Sequence, residues 1–456
     1  MKKILVSLGL AAAGSASLHA AYAPDSSDNS KMWSLSGTLR GFYDDNYTTQ
    51  PKKHGSFGFE ASPSFSLNMP MQQTEIGLKY TYGLYYYQTR ERNHQNPIDQ
   101  THQFDLWLDH AFTPRWEGRI EDTVTVAQEP SLLTPGAAGT AQRINGNNVA
   151  NTFTASLNTD WTREFSTVLS YKNSFYNYEN SGVTGVNAIG TPATVLLPGP
   201  PPVYLYPSGS PASVNASYAG LLNRVEQTIG LELQWHITAE TTGSVEYDLG
   251  LVNFTGNELI AFSQAFPYTG PATPVYSSSR DNLSHSGKVG IKHNFLDNLV
   301  GSLKAGAQYT TYYNDPNSTS SWGPEGDASL IYTYASGSSA QLGVTESRNA
   351  TDTIKVNSNG QITQDEESTV VYGSINHPLT PKLMGSLVGQ YQYSTFHNGQ
   401  FNSQSAKFYT AGLNLTYSFN RHLSSELGYN FDWYTTPVPG QNYTRNRVYL
   451  GVTATY

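Results

Sequence analysis

Apolar and polar side chains alternate along the last eleven residues of the chain. The even positions are apolar and comprise Val448, Leu450, Val452, Ala454 and Tyr456. The odd positions are polar or small, with Tyr449 as the exception, and include Arg447, Gly451, Thr453 and Thr455. Because successive side chains of a strand point to opposite faces, this period of two predicts a terminal strand with one apolar and one polar face.

The same period recurs from one end of the chain to the other. Clear examples are residues 33–43, 57–67, 76–86, 228–237 and 423–433. Strands in globular sheets usually have ~5–6 residues, whereas a tilted membrane crossing needs ~9–11. The length of these segments therefore favours membrane-crossing strands. In the alternative, a soluble all-β protein, the apolar faces would pack against a second sheet.

The connections between these segments alternate between short and long. Short ones centre on residues 70, 114, 163, 238, 297, 337, 381 and 420, and long ones on residues 50, 96, 135, 200, 271, 317, 357, 398 and 439. They predict an all-β fold, a transmembrane antiparallel up-and-down β-barrel of about eighteen strands with short periplasmic turns and long extracellular loops. Because residues 152–161, 327–334 and 369–377 alternate less clearly, sixteen strands is the alternative.

The N-terminus has the pattern of an export signal. Lys2 and Lys3 precede an apolar run over residues 4–13, which is too short to span a bilayer. We predict a signal peptide over residues 1–20 with cleavage near Ala20 or Ala21, a short periplasmic segment over 21–32 and the barrel over 33–456. A retained membrane anchor is the alternative.

Composition is consistent with a barrel and excludes some other classes. The 456 residues include no cysteine, and a barrel that closes its own hydrogen-bond ladder needs no disulfides. Tyrosine, with 32 copies, suits the membrane–water interface because it combines an apolar ring with a polar tip. The net charge of -9 argues against nucleic acid as a partner.

Aromatic residues cluster at predicted strand ends and predict two interfacial girdles. The girdle beside the long connections comprises Tyr85, Tyr86, Tyr87, Phe175, Tyr176, Tyr178, Tyr309, Tyr312, Tyr313, Tyr391, Tyr393, Phe396, Trp433 and Tyr434. The girdle beside the short turns comprises Trp33, Trp116, Trp161, Trp235, Phe295 and Phe419. Strand propensity alone is the competing explanation for these residues.

The two ends of the barrel resemble known outer-membrane barrels. Tyr456 resembles the final aromatic residue of bacterial outer-membrane barrels, which implies that it is the assembly signal read by the barrel-assembly machinery. The segment Gly41-Phe42-Tyr43-Asp44-Asp45-Asn46 resembles a motif near the start of the β-barrel porin-2 family, and residues 443–451 resemble the end of that family's chains. The resemblance implies a location in the outer membrane of a Gram-negative-type bacterium, in contact with outer-membrane lipid, and says little about substrate.

Charged residues of the polar face are the candidate pore lining. By alternation they are Arg40, Lys79, Asp105, Asp109, Arg119, Glu121, Glu226, Glu232, Glu246, Asp248, Lys288, Lys292, Lys304, Glu426, Asp432, Arg445 and Arg447. Two successive hairpins carry opposite charges. The first has Glu226, Glu232, Glu246 and Asp248, and the second has Lys288, Lys292 and Lys304. As opposed patches they would set ion preference, and as cross-strand pairs they would only hydrate the wall.

Two long connections are candidates for a constriction. Residues 128–149 form the third outer loop, with Arg143 as its only basic residue, and third loops fold inward in general porins. Residues 182–218 contain a stiff proline-rich run that is either a lid or an exposed surface loop.

The sequence gives weak support for metal binding and catalysis. Asp44, Asp45 and Asn46 offer oxygen ligands for Ca²⁺, but such residues more often form turns, so we predict no metal site. The chain lacks Gly-x-Ser-x-Gly and His-Glu-x-x-His motifs, and we predict neither a cofactor nor an enzyme.

The predicted function is passive diffusion of ions or small hydrophilic solutes through a polar lumen. One alternative is a plugged structural or adhesin-type barrel, and another is the outer-membrane component of a polysaccharide or protein export system. A barrel enzyme would need a histidine near a serine or an acid at one rim. The oligomeric state stays open, with a trimer as one possibility.

Overall fold

The computed structural model describes residues 32–129, 140–180, 186–187, 194–197, 203–205, 213–263, 273–317 and 319–456. The predicted signal peptide lies outside the described residues, as does much of the proline-rich connection.

Eighteen long antiparallel strands form one sheet. They are β1 (Trp33–Asp44), β2 (Ser56–Pro70), β3 (Thr74–Tyr87), β4 (Ile98–Thr113), β5 (Trp116–Ala127), β6 (Asn148–Asp160), β7 (Phe165–Asn177), β8 (Arg224–His236), β9 (Thr241–Phe254), β10 (Asn282–Leu296), β11 (Leu299–Tyr312), β12 (Ser320–Ala335), β13 (Ser338–Asn349), β14 (Thr363–Thr380), β15 (Leu383–Asn398), β16 (Ser405–Asn420), β17 (Leu423–Thr435) and β18 (Tyr443–Thr455). Each strand pairs with the next along the chain, and the less regular segments at 152–161, 327–334 and 369–377 are strands too. The prediction of eighteen strands is confirmed.

The sheet closes on itself through its first and last strands. β1 pairs with β18 from Ser36 opposite Thr455 to Asp44 opposite Arg447, while its other edge pairs with β2. Closure leaves no unpaired edge among the barrel strands, which is the condition for crossing a bilayer with strands. The predicted alternation of eight short and nine long connections is also confirmed.

The outer face of the barrel is apolar. Leu39, Phe59 and Leu450 are 68%, 66% and 64% exposed, whereas their neighbours Arg40 and Glu60 point to the interior. Soluble monomers rarely expose continuous apolar patches larger than a few hundred Å². An apolar belt around a whole barrel therefore fits lipid, and the soluble two-sheet alternative is wrong.

The girdle beside the short turns is confirmed, because all six of its predicted aromatics are exposed on the outer face. The girdle beside the long connections is only partly correct. Phe175, Tyr313, Tyr393 and Trp433 are exposed. The prediction is wrong for Tyr87, Tyr178, Tyr312, Phe396 and Tyr434, which are buried. These rings contact the loops that fill the extracellular mouth, so they are covered by protein rather than by lipid.

Loops converge on the mouth and carry short elements of their own. These are the helices Gln88–Arg92 and Tyr218–Leu222, the 3₁₀ turn Ser277–Arg280, and short strands at Val186–Asn187, Thr194–Leu197, Val203–Leu205, Ser213–Val214, Leu259–Ser263 and Thr273–Tyr276. Ile144, Leu222, Ile260 and Ile362 come from four different connections and pack into one buried apolar cluster. Among the described residues, no helix is long and apolar enough to cross a membrane.

Candidate functional site: the charged interior

The strand register places every candidate pore-lining residue on the interior-facing side of its strand. Arg40, for example, lies between Glu60 of β2 and Gly451 of β18, while the flanking Leu39 and Gly41 face outward. The candidates divide into a group in the middle of the barrel and a group at the extracellular mouth. The two groups differ in how their charges are compensated.

A patch in which acids outnumber bases lies on the interior faces of β8 to β12, and we call it the acidic wall. It consists of Glu232, Glu246, Asp248, Glu325 and Asp327 around Lys288 and Lys304.

Each lysine of the acidic wall is shared among several carboxylates. Lys288 Nζ lies 2.7 Å from Asp248 Oδ2 and 3.1 Å from Glu246 Oε1. Lys304 Nζ lies 2.7 Å from Glu246 Oε2 and 3.0 Å from Glu232 Oε2. The acids and lysines of the two hairpins thus pair across strands instead of forming opposed patches, and the acids remain in excess.

Two lysines of the interior are less constrained. Neither Lys172 of β7 nor Lys292 of β10 has an ion-pair partner in the part of the chain that the structure describes.

A separate ion-pair group lies on the interior faces of β4 and β5. Arg119 of β5 lies 3.5 Å from Asp109 Oδ1 and donates from Nε to Glu121 Oε1 at 3.0 Å. Its side chain is 36% exposed, so this pair faces an accessible interior.

Other candidates make local contacts. Arg40 donates to Glu60 at 2.7 Å and also contacts Glu426. Asp105 accepts from Thr123 Oγ1 at 3.0 Å. Trp107 also points inward, and its indole lies against Gly77, where a Cβ would overlap with the ring. Sequence reasoning missed this aromatic because it counted only charges on the polar face.

A chain of alternating charges crosses the extracellular mouth, and we call it the arginine network. Its members are Arg90, Asp99, Arg143, Glu129, Arg445, Asp44 and Arg447. The contacts run through β4, the third outer loop, β18 and β1.

Arg143 and Arg445 hold the network together. Arg143, whose side chain is 3% exposed, donates to Glu129 at 2.9 Å and contacts Asp99. Arg445 donates to the other oxygen of Glu129 at 2.8 Å and to Asp44 at 2.6 Å. The described residues 140–147 of the third outer loop therefore reach the interior, where the sequence placed a candidate constriction; residues 130–139 lie outside the description.

Glu129 is strongly stabilised as an anion by this network. Burial alone would raise the pKa of Glu129, but Arg445 and Arg143 outweigh burial and lower the pKa to about 2. Guanidinium groups with two acidic partners each form charge-assisted hydrogen bonds, which are stronger than neutral ones.

Arg280 ties three loops together without a carboxylate. Its guanidinium is fully buried, lies over the Phe254 ring, and donates to the carbonyls of Leu221, Thr351 and Gln364 at 2.8–3.1 Å. Burial lowers the pKa of Arg280 to about 10, so the group stays protonated at neutral pH. No sequence pattern indicates such contacts, because they join loops that carry no periodicity.

The two motifs that carry the family resemblance contact each other. Asp44 accepts from Arg445 and Arg447, and Asp45 accepts from the backbone and side-chain amides of Asn446 at 2.7 Å. The Asn46 amide donates to carbonyls on both sides of the joint. These residues therefore fasten the first outer loop to the closing strand.

No group of three or more His, Asp or Glu side chains is arranged to hold a metal ion anywhere in the described ranges. A serine–histidine contact does occur at the periplasmic end, where Ser166 Oγ lies 3.2 Å from His236 Nε2. The other ring nitrogen faces Thr242 Oγ1 at 3.2 Å. The histidine is thus oriented by a hydroxyl and not by the acid that a hydrolytic triad would use.

A closed antiparallel barrel with an apolar belt and a charged interior defines a porin-like barrel of the Gram-negative outer membrane. Residues 272–456 match the family model described as "Putative beta-barrel porin 2", which confirms the resemblance over the part of the chain that includes residues 443–451, whereas residues 41–46 lie outside the match.

Two solved bacterial structures are among those similar to this chain. OpdK of Pseudomonas aeruginosa is 9% identical, with 93% of this chain and 99% of that chain covered and a TM-score of 0.43. OccAB4 of Acinetobacter baumannii is 12% identical, with the same coverage and a TM-score of 0.38. No curated protein matches the chain in sequence.

Proposed function

We propose that the protein is a passive diffusion channel that prefers cations. The observation that carries this proposal is the excess of acids over bases in the acidic wall. Fixed charges that line a pore raise the local concentration of counter-ions and favour their passage. Cations and small cationic or neutral hydrophilic solutes are therefore the expected substrates.

The proposed path leads from the mouth to the periplasmic end along the interior-facing residues. An eighteen-stranded barrel encloses more space than side chains of its wall can fill, so water occupies the middle. Solute would partition into this water, and its passage would depend on width at the arginine network and on charge at the acidic wall. We assign no catalytic role and no cofactor to any residue.

The plugged barrel is the second candidate, because the loops pack so tightly at the mouth. The apolar cluster around Leu222 and Ile260 and the arginine network are both well buried. If these contacts seal the mouth, the barrel would serve as a scaffold, an adhesin or part of an export system.

Planar-bilayer recording of the purified full-length protein distinguishes these functions. The channel predicts discrete, stable conductance steps. A plugged barrel predicts no steps although the protein shows the heat-dependent gel mobility of a folded barrel. Arg143→Ala is the informative variant, because loss of its contacts with Glu129 and Asp99 should widen the mouth and raise the conductance.

We further propose that Tyr456 is the assembly signal. Its ring packs against Trp33 with 5.7 Å between ring centroids and is 67% exposed. Tyr456→Ala should reduce the amount of folded barrel in the outer membrane severalfold, while the same variant refolded from urea into detergent should reach the normal yield. Equal losses in both settings would contradict a role in recognition by assembly machinery.

A further inference from the structure

The Tyr372 ring lies along the interior surface next to the acidic wall. Tyr372 of β14 is opposite Gly343 of β13 and faces the interior, since Ile375, three positions further on, is exposed on the outer face. A Cβ on Gly343 would lie 2.3 Å from Cζ and 2.4 Å from the hydroxyl oxygen of Tyr372. Because neighbouring strands are ~4.8 Å apart, the ring must lie across β13 instead of standing in the lumen. One side of the ring therefore covers the glycine, and the partly exposed tyrosine presents its other side to the interior.

The hydroxyl end of this ring extends towards β12, which carries Asp327. Gly343 is opposite Ser329 of β12, and Asp327 is two residues away on the same face, a distance of about 7 Å along the strand. The charge of Asp327 acts on the Tyr372 hydroxyl across this gap. Both side chains are partly exposed, so one small group in the interior can contact the ring and the carboxylate together.

Asp327 differs from the other carboxylates of the acidic wall in how its charge is compensated. Lys304 is directly opposite Asp327 in the register, but the ammonium group of Lys304 contacts Glu246 at 2.7 Å and Glu232 at 3.0 Å. Among the described residues, Asp327 has no ion-pair partner. The carboxylate next to Tyr372 is therefore available to a cation from solution.

A second ring of the same barrel shows that this arrangement can hold a cation. Tyr449 of β18 covers Gly428 of β17 in the same way, with Cζ 2.0 Å from the position of a Cβ. The guanidinium carbon of Arg40 lies 5.3 Å from the centre of the Tyr449 ring, and Arg40 also donates to Glu60 at 2.7 Å. A cation within ~6 Å of an aromatic face is attracted to it. No lysine or arginine of the described chain takes the corresponding place over Tyr372.

We propose that Tyr372 and Asp327 together bind the cationic group of an organic solute, an ammonium or a guanidinium. The ring supplies a cation–π contact, which aromatic faces also provide to quaternary ammonium ligands, and the carboxylate supplies the opposite charge. This assignment rests on the proposed cation-preferring channel and adds a class of solute to it. The acidic wall alone selects by charge, whereas the ring adds a preference for organic cations.

Saturation-transfer NMR on the full-length protein in a neutral detergent tests the site with tetramethylammonium, a cation that cannot form conventional hydrogen bonds. Titration of the wild type should give saturable transfer from the protein to the methyl protons. Tyr372→Leu should raise the dissociation constant about fivefold, because it removes the cation–π contact. Tyr372→Phe keeps the ring and should bind as the wild type does. Asp327→Asn, which preserves the size of the side chain, should also raise the dissociation constant severalfold.

Tyr247→Leu is the matched control for loss of a tyrosine ring. Tyr247 belongs to β9, a strand of the acidic wall, but it is 49% exposed on the outer face. This variant should bind tetramethylammonium as the wild type does. The heat-dependent gel mobility of each variant reports whether its barrel is folded.

The proposal is overturned if the folded wild type gives no saturable transfer, or if the dissociation constant is unchanged in Tyr372→Leu or Asp327→Asn. Equal weakening by Tyr247→Leu would place the binding on the detergent-covered surface and would also overturn it. The measurement requires no conduction, so the two proposals can fail separately. A barrel that binds tetramethylammonium but gives no conductance steps contradicts the channel, whereas conductance steps without binding contradict this site.

Discussion

The mouth and the middle of the barrel interior differ in how deeply their charged side chains are buried and in how completely the charges are compensated. In the mouth, Arg143 and Arg445 are 3% and 9% exposed and share Glu129, which is 13% exposed. In the middle, acids outnumber bases along the acidic wall, and Glu246, Asp248 and Glu325 are 17%, 14% and 24% exposed. The difference indicates that the mouth uses charge to hold loops in place, whereas the middle leaves charge available to solute.

Arg445→Ala should have the largest effect, because it breaks the mouth at its centre. The substitution leaves the fully buried Asp44 with Arg447 as its remaining cationic partner among the described residues, and an incompletely compensated buried charge costs about 3–5 kcal/mol. The free energy of unfolding, measured by urea titration in lipid vesicles, should fall by about that amount. Lys172→Ala, at an interior lysine without an ion-pair partner in the described chain, should change it by less than about 0.5 kcal/mol. Equal losses would remove the distinction between the two regions.

Gly77→Ala tests packing on the interior wall near the periplasmic end of β3. A methyl group there would overlap with the Trp107 indole and force it to move, and such overpacking costs about 1–3 kcal/mol. Gly37→Ala is the control, since nothing lies within 4 Å of its would-be Cβ. If urea titration finds the same small change for both variants, the indole does not lie against Gly77.

Acid should weaken the mouth through Glu129. Its pKa of about 2 in the folded protein lies below the ordinary value near 4.3, so its contribution to stability is complete above that value and is lost as the pH falls through about 2. The difference in free energy of unfolding between the wild type and Glu129→Gln should therefore stay constant from pH 7 to 5 and shrink towards pH 2. A difference that does not change with pH would show that the carboxylate is not held by the arginines.

The alternation of residues predicted the strands and the interior-facing side because a barrel wall repeats one simple rule, lipid on one side and water on the other. Arg40, Glu246 and Lys288 were found in this way. The same rule places Glu325 and Asp327 on the interior-facing side, although neither is among the predicted pore-lining residues. It fails at the mouth, where Arg143 meets Asp99 and Arg280 meets three carbonyls, because loop contacts between distant segments follow no period.

The clustering of aromatic residues at strand ends led to a wrong assignment for several rings of the strand ends near the mouth. Tyr87 and Phe396 occur in strand ends that look like a girdle, yet they face inward and are buried. Strand propensity and clustering are the same for rings on either face. Only the parity of each residue within its strand separates rings that touch lipid from rings that touch loops.

The reversal potential in a salt gradient tests the central claim most directly. With KCl tenfold higher on one side, the wild-type channel should give a potential of the sign expected for cation preference. Glu246→Gln combined with Asp248→Asn removes two carboxylates of the acidic wall and should move that potential towards zero. A wild-type potential of the opposite sign, or one that the two substitutions leave unchanged, would contradict the assignment of ion preference to the acidic wall.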